Sequence, residues 1–594
     1  MNTARLAPAL CLGLMLALSV PDGSSAQPVP PSPGFEPLER PGEIRPELPA
    51  PAAPKQPSFV LPPLPPPVED EQRLSRGPEV VVREFRVTGS SVFSAAELAA
   101  LTGPYLGRPI GGEQLHELRD RITRLYVDAG YLNSGAVLPD QDVREGVVEY
   151  RIVEGRLSEI LVEGNRWYRS SYLVSRMRRG AHTPLAVREL ENELQLLQQD
   201  PRIRRVDAEL LPGERPGEAR LRTRFEEELP YFASLEYSNH ESPSVGSYRT
   251  QLDTGHRNLV GRGDTLRLMV ATSEGLEEYE IGYEIPITSY DTTLGAWLSY
   301  GSSGVVEEPF EDLEVASRSK TVGIELRQPI HRTLESQLDL ALTGEWRKSQ
   351  NRILDNTFYS EGTDDGHAVV TVVRFRQDYL YRDLRQVVAA RSQLSVGLDA
   401  LGATMHGCVI VDPAEGCFVR DPMDPDPPKL DRDGIADAQF LTWLGQFQWV
   451  RRFEPWGWET VLRTDVQLSN RPLFSLEQFS LGGHQSVRGY RENELVRDNG
   501  FASSLELRIP LWSNAAETSS LQLAPFFDIG RSWNTERDEA SPRTLAGVGV
   551  GLRAAFTRHL RGELYWGHPL HDVPEPEERD LQDDGVHFSL VASF

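Results

Sequence analysis

The chain has 594 residues, with 88 acidic against 62 basic side chains and a formal net charge of −26. That balance excludes a nucleic-acid binder, which needs a basic face to neutralise phosphates. A mean hydropathy of −0.40 looks soluble, yet a transmembrane β-barrel gives the same figure, because only alternate residues of its strands face lipid.

Residues 1–26 read as a secretory signal peptide: Arg5 supplies the positive start, Leu6 to Val20 form a short apolar run, and Ser24-Ser25-Ala26 make a small-residue cleavage site. No later stretch offers the roughly eighteen consecutive apolar residues of a transmembrane helix. Residues 27–78 follow as a linker, with sixteen prolines in the 41 residues from Pro28 to Val68. Proline fixes φ and removes amide donors, so this segment favours extended, unpaired chain.

Two similar units of about 75 residues come next. The first, 79–154, predicts a strand from Val80 to Thr88, a turn at Gly89, a helix from about Ser94, and a break at Gly107-Arg108-Pro109. A second helix carries Leu115, Leu118, Ile122, Leu125 and Tyr126 as a 3.6-residue stripe, and strands at Ala136 to Leu138 and Val147 to Val153 close the unit. The second, 155–228, repeats this order. It has a strand at Ile160 to Glu163, a break at Thr183-Pro184, a helix with Val187, Leu190, Leu194 and Leu197, and closing strands at Val206 to Leu210 and Ala219 to Phe225. Each reads as a small α+β domain with a three-stranded sheet.

From 229 to 594 two-residue alternation takes over. Leu338, Leu340, Leu342 and Trp346 oppose Gln337, Asp339, Thr343 and Glu345; Tyr279, Ile281, Tyr283 and Ile285 oppose Glu278, Glu280 and Glu284. One face is apolar and the other wet. About sixteen such segments predict a 16-stranded antiparallel transmembrane β-barrel with a polar lumen. The last segment alternates Val586, Phe588, Leu590, Ala592 and Phe594 with His587, Ser589 and Ser593.

Cys408 and Cys417 share one loop-like stretch and read as a local disulfide of an exported protein, with two free thiols as the alternative. Asp421, Asp424, Asp426, Asp431 and Asp433 follow; their spacing is broken by prolines, so a solvated loop is preferred over a calcium site. No metal, cofactor or catalysis is expected: His116-Glu117 has Asp120 where a zinc motif needs its second histidine, and neither a nucleophile elbow nor a phosphate loop occurs.

The most distinctive stretch is Leu481-Gly482-Gly483-His484-Gln485-Ser486-Val487-Arg488-Gly489-Tyr490. Paired glycines permit a tight backbone path, and an arginine carried on it cannot lose its charge and must find an anion. With this motif the chain resembles the two-partner secretion translocators (TpsB; the haemolysin-secretion and filamentous-haemagglutinin transporter family), within the wider superfamily of outer-membrane assembly factors. The two α+β units look like POTRA domains, and Leu138-Pro139-Asp140-Gln141-Asp142-Val143 before Val147 to Gly155 looks like the closing half of the first. Val487-Arg488-Gly489-Tyr490 resembles the hallmark of the loop between barrel strands eleven and twelve. Phe526-Phe527-Asp528-Ile529-Gly530 resembles the matching wall motif.

The resemblance implies a loop, about 470–500, folded into the lumen, with Gly482, Gly483, Val487, Arg488, Gly489 and Tyr490 forming a latch and Asp528, flanked by Phe526 and Gly530, as the partner of Arg488 on the wall. The alternation agrees, since Phe527 and Ile529 would face lipid and leave Asp528 inside. In a wet lumen such a pair is worth about 1–3 kcal/mol. Phe588, Leu590 and Phe594 resemble the C-terminal barrel-insertion signal. Two departures stand out. The prolines leave little room for the plug helix of many family members, unless Val68 to Leu74 serves, and Arg497-Asp498-Asn499-Gly500 stands where a glycine-aspartate pair is more usual.

The implied function is ATP-independent export of one unfolded, β-rich passenger, a TpsA-like exoprotein with an N-terminal secretion domain, across the outer membrane of a Gram-negative bacterium. The POTRA domains would hold the passenger in the periplasm by strand addition at the closing edges of their sheets. The other implied partners are outer-membrane lipid, lipopolysaccharide and the barrel assembly machinery; the chain is expected to be monomeric. The main alternative is a barrel-insertion factor of the same superfamily, against which the presence of only two periplasmic units speaks.

Overall fold

The computed structural model describes residues 79–143, 145–354, 356–357, 363, 366–405, 409–412, 416–418, 435–515, 518–536, 540–574 and 578–594, the backbone alone for 357, 409–412 and 416–418. The signal peptide, the proline-rich linker, the plug candidate Val68 to Leu74, the cysteine pair and the acidic segment after it lie outside those residues or their described side chains.

The first α+β unit packs helix α1 (Ala95–Thr102) and helix α2 (Gly112–Asp128) on a three-stranded sheet of Glu84–Thr88, Val147–Val153 and Gly135–Val137, in that spatial order. Ser94 caps α1: its hydroxyl accepts from Glu97 N–H at 3.3 Å, and the Glu97 carboxylate accepts from Ser94 N–H at 2.8 Å, satisfying two donors that a helix start leaves open. Leu118, Ile122 and Tyr126, one face of α2, are buried against Val148, Tyr150 and Ile152. The expected single strand from Val80 to Thr88 is interrupted. Val82 turns wholly inward and the N–H groups of Arg83 and Glu84 both donate to Gly146 O, so Val80–Val81 pairs elsewhere, with Pro109–Ile110.

The second unit repeats the plan with α3 (Ser170–Met177), α4 (Val187–Gln198) and the sheet Arg156–Glu163, Glu218–Glu227, Ile203–Pro212. In both units the last strand is central and parallel to the first. The free sheet edges therefore belong to the first strand and the penultimate one, not to both closing strands. The units are joined by a backbone bond from Val187 N–H to Gly130 O (3.1 Å) and by Asn133 Nδ2 donating to Gly217 O at 3.0 Å.

The remainder is a closed antiparallel barrel. Its sixteen strands in chain order are Tyr231–Ser238, Arg249–His256, Thr265–Thr272, Leu276–Pro286, Thr293–Gly304, Ala316–Arg332, Ser336–Ile353, His367–Arg382, Gln386–Leu398, Leu441–Phe453, Trp458–Ser469, Asn499–Ser513, Ser520–Trp533, Thr544–Ala555, Leu560–Pro569 and Val586–Ser593, numbered 1 to 16 below; a two-residue segment, Asn356–Thr357, pairs beside strand 7. Alternation sorts the side chains as expected. In strand 7, Asp339, Thr343 and Glu345 are buried on the lumen side while Leu342 is 52% exposed outside. Strands 1 and 16 close the barrel through five register pairs, Ser234 with Ser593 to Ser238 with Ser589, and Ala233 and Phe594 exchange backbone hydrogen bonds.

Candidate functional site: a lumen-inserted loop

The connection between strands 11 and 12 turns back into the barrel. Phe479–Leu481 and Leu495–Arg497 pair antiparallel as the stem of a hairpin. Phe479, Leu481, Val487, Tyr490 and Leu495 bury their side chains together with Ala502 and Leu545 of the wall. This apolar contact, rather than charge alone, seats the loop. The turn begins at Gly482 and Gly483, with φ of 112° and 92°, a backbone conformation that side-chain-bearing residues resist; a Cβ on Gly482 would also lie 2.6 Å from the Arg491 carbonyl oxygen. The Tyr490 hydroxyl lies 3.0 Å from Ala546 O and 3.1 Å from His571 O and accepts from His571 N–H at 3.0 Å, tying the loop to strand 14 and to the connection after strand 15.

Arg488 meets the wall. Its Nε donates to Asp528 Oδ2 at 2.8 Å and Nη2 to Asp528 Oδ1 at 3.0 Å, a forked pair; Nη1 donates to Glu506 Oε2 at 2.6 Å and Nη2 to Ser504 Oγ at 3.0 Å. The guanidinium also lies over the Phe526 ring, 3.6 Å from its centroid, and 4.8 Å from that of Tyr565. Strand 13 behaves as its alternation requires: Phe527 and Ile529 are exposed on the lipid side and Asp528 is fully buried inside. Gly530 leaves the space that Leu481 fills, since a Cβ there would sit 2.3 Å from Leu481 Cδ1.

The pair differs from the wet contact expected of it. Arg488 is 3% exposed and Asp528 0%, so removing one partner strands a buried charge, which costs about 3–5 kcal/mol rather than the smaller value of a solvated bond.

Three further anchors escape sequence reasoning. Glu477, at the root of the loop, accepts from Arg374 Nη2 at 2.8 and 3.0 Å; Arg374 also donates to Glu345 at 2.9 Å, and Arg347 lies 3.4 Å from Glu477. Arg491 pairs with Asp583 at 2.6 Å and Glu307 at 2.5 Å, from the connections after strands 15 and 5. The unusual Arg497-Asp498 pair also has structural work. Arg497 donates to the carbonyls of Ser532, Ala540 and Pro542, and Asp498 accepts from Leu473 N–H, Gln478 Nε2 and Thr535 N–H. Only the departure from the usual glycine-aspartate pair hinted at these residues.

On strand 16, Leu590 is 43% and Phe594 76% exposed, on the outer face with Phe588, whose ring centroid lies 5.7 Å from that of Tyr237. Among the described residues no group of histidine, cysteine, aspartate or glutamate is placed to hold a metal ion.

The family model described as haemolysin secretion/activation protein ShlB/FhaC/HecB matches residues 217–554, a span containing the barrel from strand 1 through strand 14 and the inserted loop. The chain belongs to this family. A second model, POTRA domain of the ShlB type, matches residues 80–155, the first α+β unit. The outer membrane transporter CdiB of Dickeya dadantii is 26% identical over 510 residues, covering 83% of this chain and 84% of that protein. Among solved structures, CdiB from Escherichia coli aligns with a TM-score of 0.62 at 21% identity, over 88% of this chain and 92% of its own. BamA from Haemophilus ducreyi lacking POTRA domains 1–3 aligns with a TM-score of 0.52 at 15% identity, over 86% and 100%. The last two show a common fold. As a member of the ShlB/FhaC/HecB family, the protein is an outer-membrane translocator of the two-partner secretion type; the insertion-factor alternative has the weaker support.

Proposed function

We propose that the protein exports one dedicated partner protein through its barrel, and that the inserted loop is the element the partner displaces. The observation that carries this reading is the buried Arg488 network, which ties a complete hairpin across the lumen to Asp528 and Glu506 of the wall. Both α+β units act as POTRA domains on the periplasmic side. An unfolded passenger adds as a strand to their free edges, Glu84–Thr88 or Gly135–Val137 in the first and Arg156–Glu163 or Ile203–Pro212 in the second. Binding of that kind depends on backbone hydrogen bonds and so suits an unfolded client. Folding of the passenger outside supplies the drive, since the sequence carries no nucleotide-binding loop. The barrel works as a monomer in lipid and lipopolysaccharide, delivered by the assembly machinery through its terminal strand.

Quantitative proteomics of a strain lacking the gene tests this. Loss of one large protein from the medium, with other barrels unchanged, is expected. Depletion of many outer-membrane barrels would replace this reading with that of an insertion factor.

A further inference from the structure

Beside the Arg488 network, three histidines from separate elements meet near the seam of strands 1 and 16. His240 follows strand 1, His484 belongs to the inserted loop, and His587 points inward from strand 16. The His240 and His484 rings stack, with centroids 4.0 Å apart and planes 8° from parallel. Each lies 6.4 Å from the His587 ring, and His484 meets Tyr565 edge-on at 5.4 Å. Parallel rings aim their lone pairs side by side rather than at one point, so the group is not a metal centre.

The surroundings fit neutral rings and oppose charged ones. Arg488 of the loop, Arg249 of strand 2 and Arg463 of strand 11 act on the cluster electrostatically. Arg249 is held by Glu241 and Glu278, and Arg488 by Asp528 and Glu506. Glu492 lies 3.9 Å from His587 Nδ1, and its carboxylate already accepts from His484 N–H at 2.6 Å. Protonating the stack would set like charges face to face in ring contact, each ring needing acceptors for two N–H groups.

We propose that this histidine stack is an acid-sensitive fastener: it holds the inserted loop against the strand 1–strand 16 seam at neutral pH and releases it in acid. The inference rests on the reading of the loop as a latch. The sign follows from linkage. Released rings titrate near their ordinary value of about 6.5, so below it each ring shifts the balance toward release by up to about tenfold per pH unit.

The test is the open-to-closed ratio of the full-length protein in planar bilayers at pH 7.5 and 5.5. Wild type is expected to rise at least about tenfold on acidification. The variant His240→Gln/His484→Gln is expected to lose most of that rise while keeping heat-modifiable gel mobility, and His240→Gln alone to lose part of it. Arg488→Ala at pH 7.5 tests the latch separately and is expected to be open already. An acid-insensitive wild type beside an open Arg488→Ala overturns the fastener and leaves the latch. An Arg488→Ala variant as closed as wild type overturns both. A double variant that keeps the full acid response places the sensor elsewhere and overturns the fastener.

Discussion

Arg176 of α3 donates two hydrogen bonds to Asp291, at 2.9 Å from Nε and 2.5 Å from Nη2, across the junction between the second α+β unit and the turn joining barrel strands 4 and 5. Asp291 also receives Arg332 at 3.1 Å and Arg179 at 3.5 Å. Backbone contacts reinforce the junction, Arg169 N–H donating to Gly261 O at 2.9 Å. The arm nearest the membrane is thus bolted to the barrel rim. Asp291→Ala leaves three arginines without their shared anion, and a charge-assisted contact of this kind is worth about 1.5–3 kcal/mol. Faster protease cleavage around residues 227–231, with unchanged heat-modifiable mobility of the barrel, is the expected result.

Arg488→Lys tests whether the latch needs geometry or only charge. An ammonium cannot span Asp528, Glu506 and Ser504 as the planar fork does. Secretion by the lysine variant is expected to fall nearly as far as in Arg488→Ala, with the barrel still present in the membrane. Wild-type secretion by Arg488→Lys would show that charge alone suffices.

Glu477→Gln removes the charge that Arg374 and Arg347 share at the loop root. Because Glu477 is 1% exposed and Arg374 7%, the loss is on the order of 3 kcal/mol. The root should loosen while the Arg488 contact survives. Leu473 and Phe474, both buried, should then exchange amide hydrogens faster, whereas residues around Val487 keep their protection.

Phe594→Ser removes the aromatic end of strand 16. Phe594 contributes little packing, its ring lying exposed 5.9 Å from His559, while its backbone pairing with Ala233 does not depend on the side chain. Assembled protein in the membrane is expected to drop several-fold, with unchanged melting of what does assemble. A lowered melting temperature at normal abundance would assign the residue to stability instead of insertion.

Much of the architecture was legible because alternation is local: the row of Asp339, Thr343 and Glu345 against Leu338, Leu340 and Leu342 needs nothing but a strand to sort it. Arg488 and Asp528 stood out as motifs. Glu506 did not, because every strand carries polar lumen residues. Which of them reaches Arg488 is decided by register: Ser504 lies directly opposite Asp528 and Glu506 opposite Phe526, a relation between strands that no single stretch encodes. Glu477 with Arg374 is more remote still, joining a loop root to a strand 103 positions away. The break at Val82 escaped for a similar reason. A valine favours a strand by propensity, and only the distant Gly146 carbonyl redirects the chain.

The loop takes opposite charges to two walls: a carboxylate to Arg374 and Arg347 on strands 8 and 7, a guanidinium to Asp528 and Glu506 on strands 13 and 12. In the proposed displaced state each wall keeps the groups that the loop was using. Without Glu477, Arg347 and Arg374 share Glu345 alone; without Arg488, Asp528 and Glu506 lose the guanidinium that bridged them. A polypeptide threading the channel would thus meet two separate patches, arginines that have lost a carboxylate on strands 7 and 8 and carboxylates that have lost a guanidinium on strands 12 and 13.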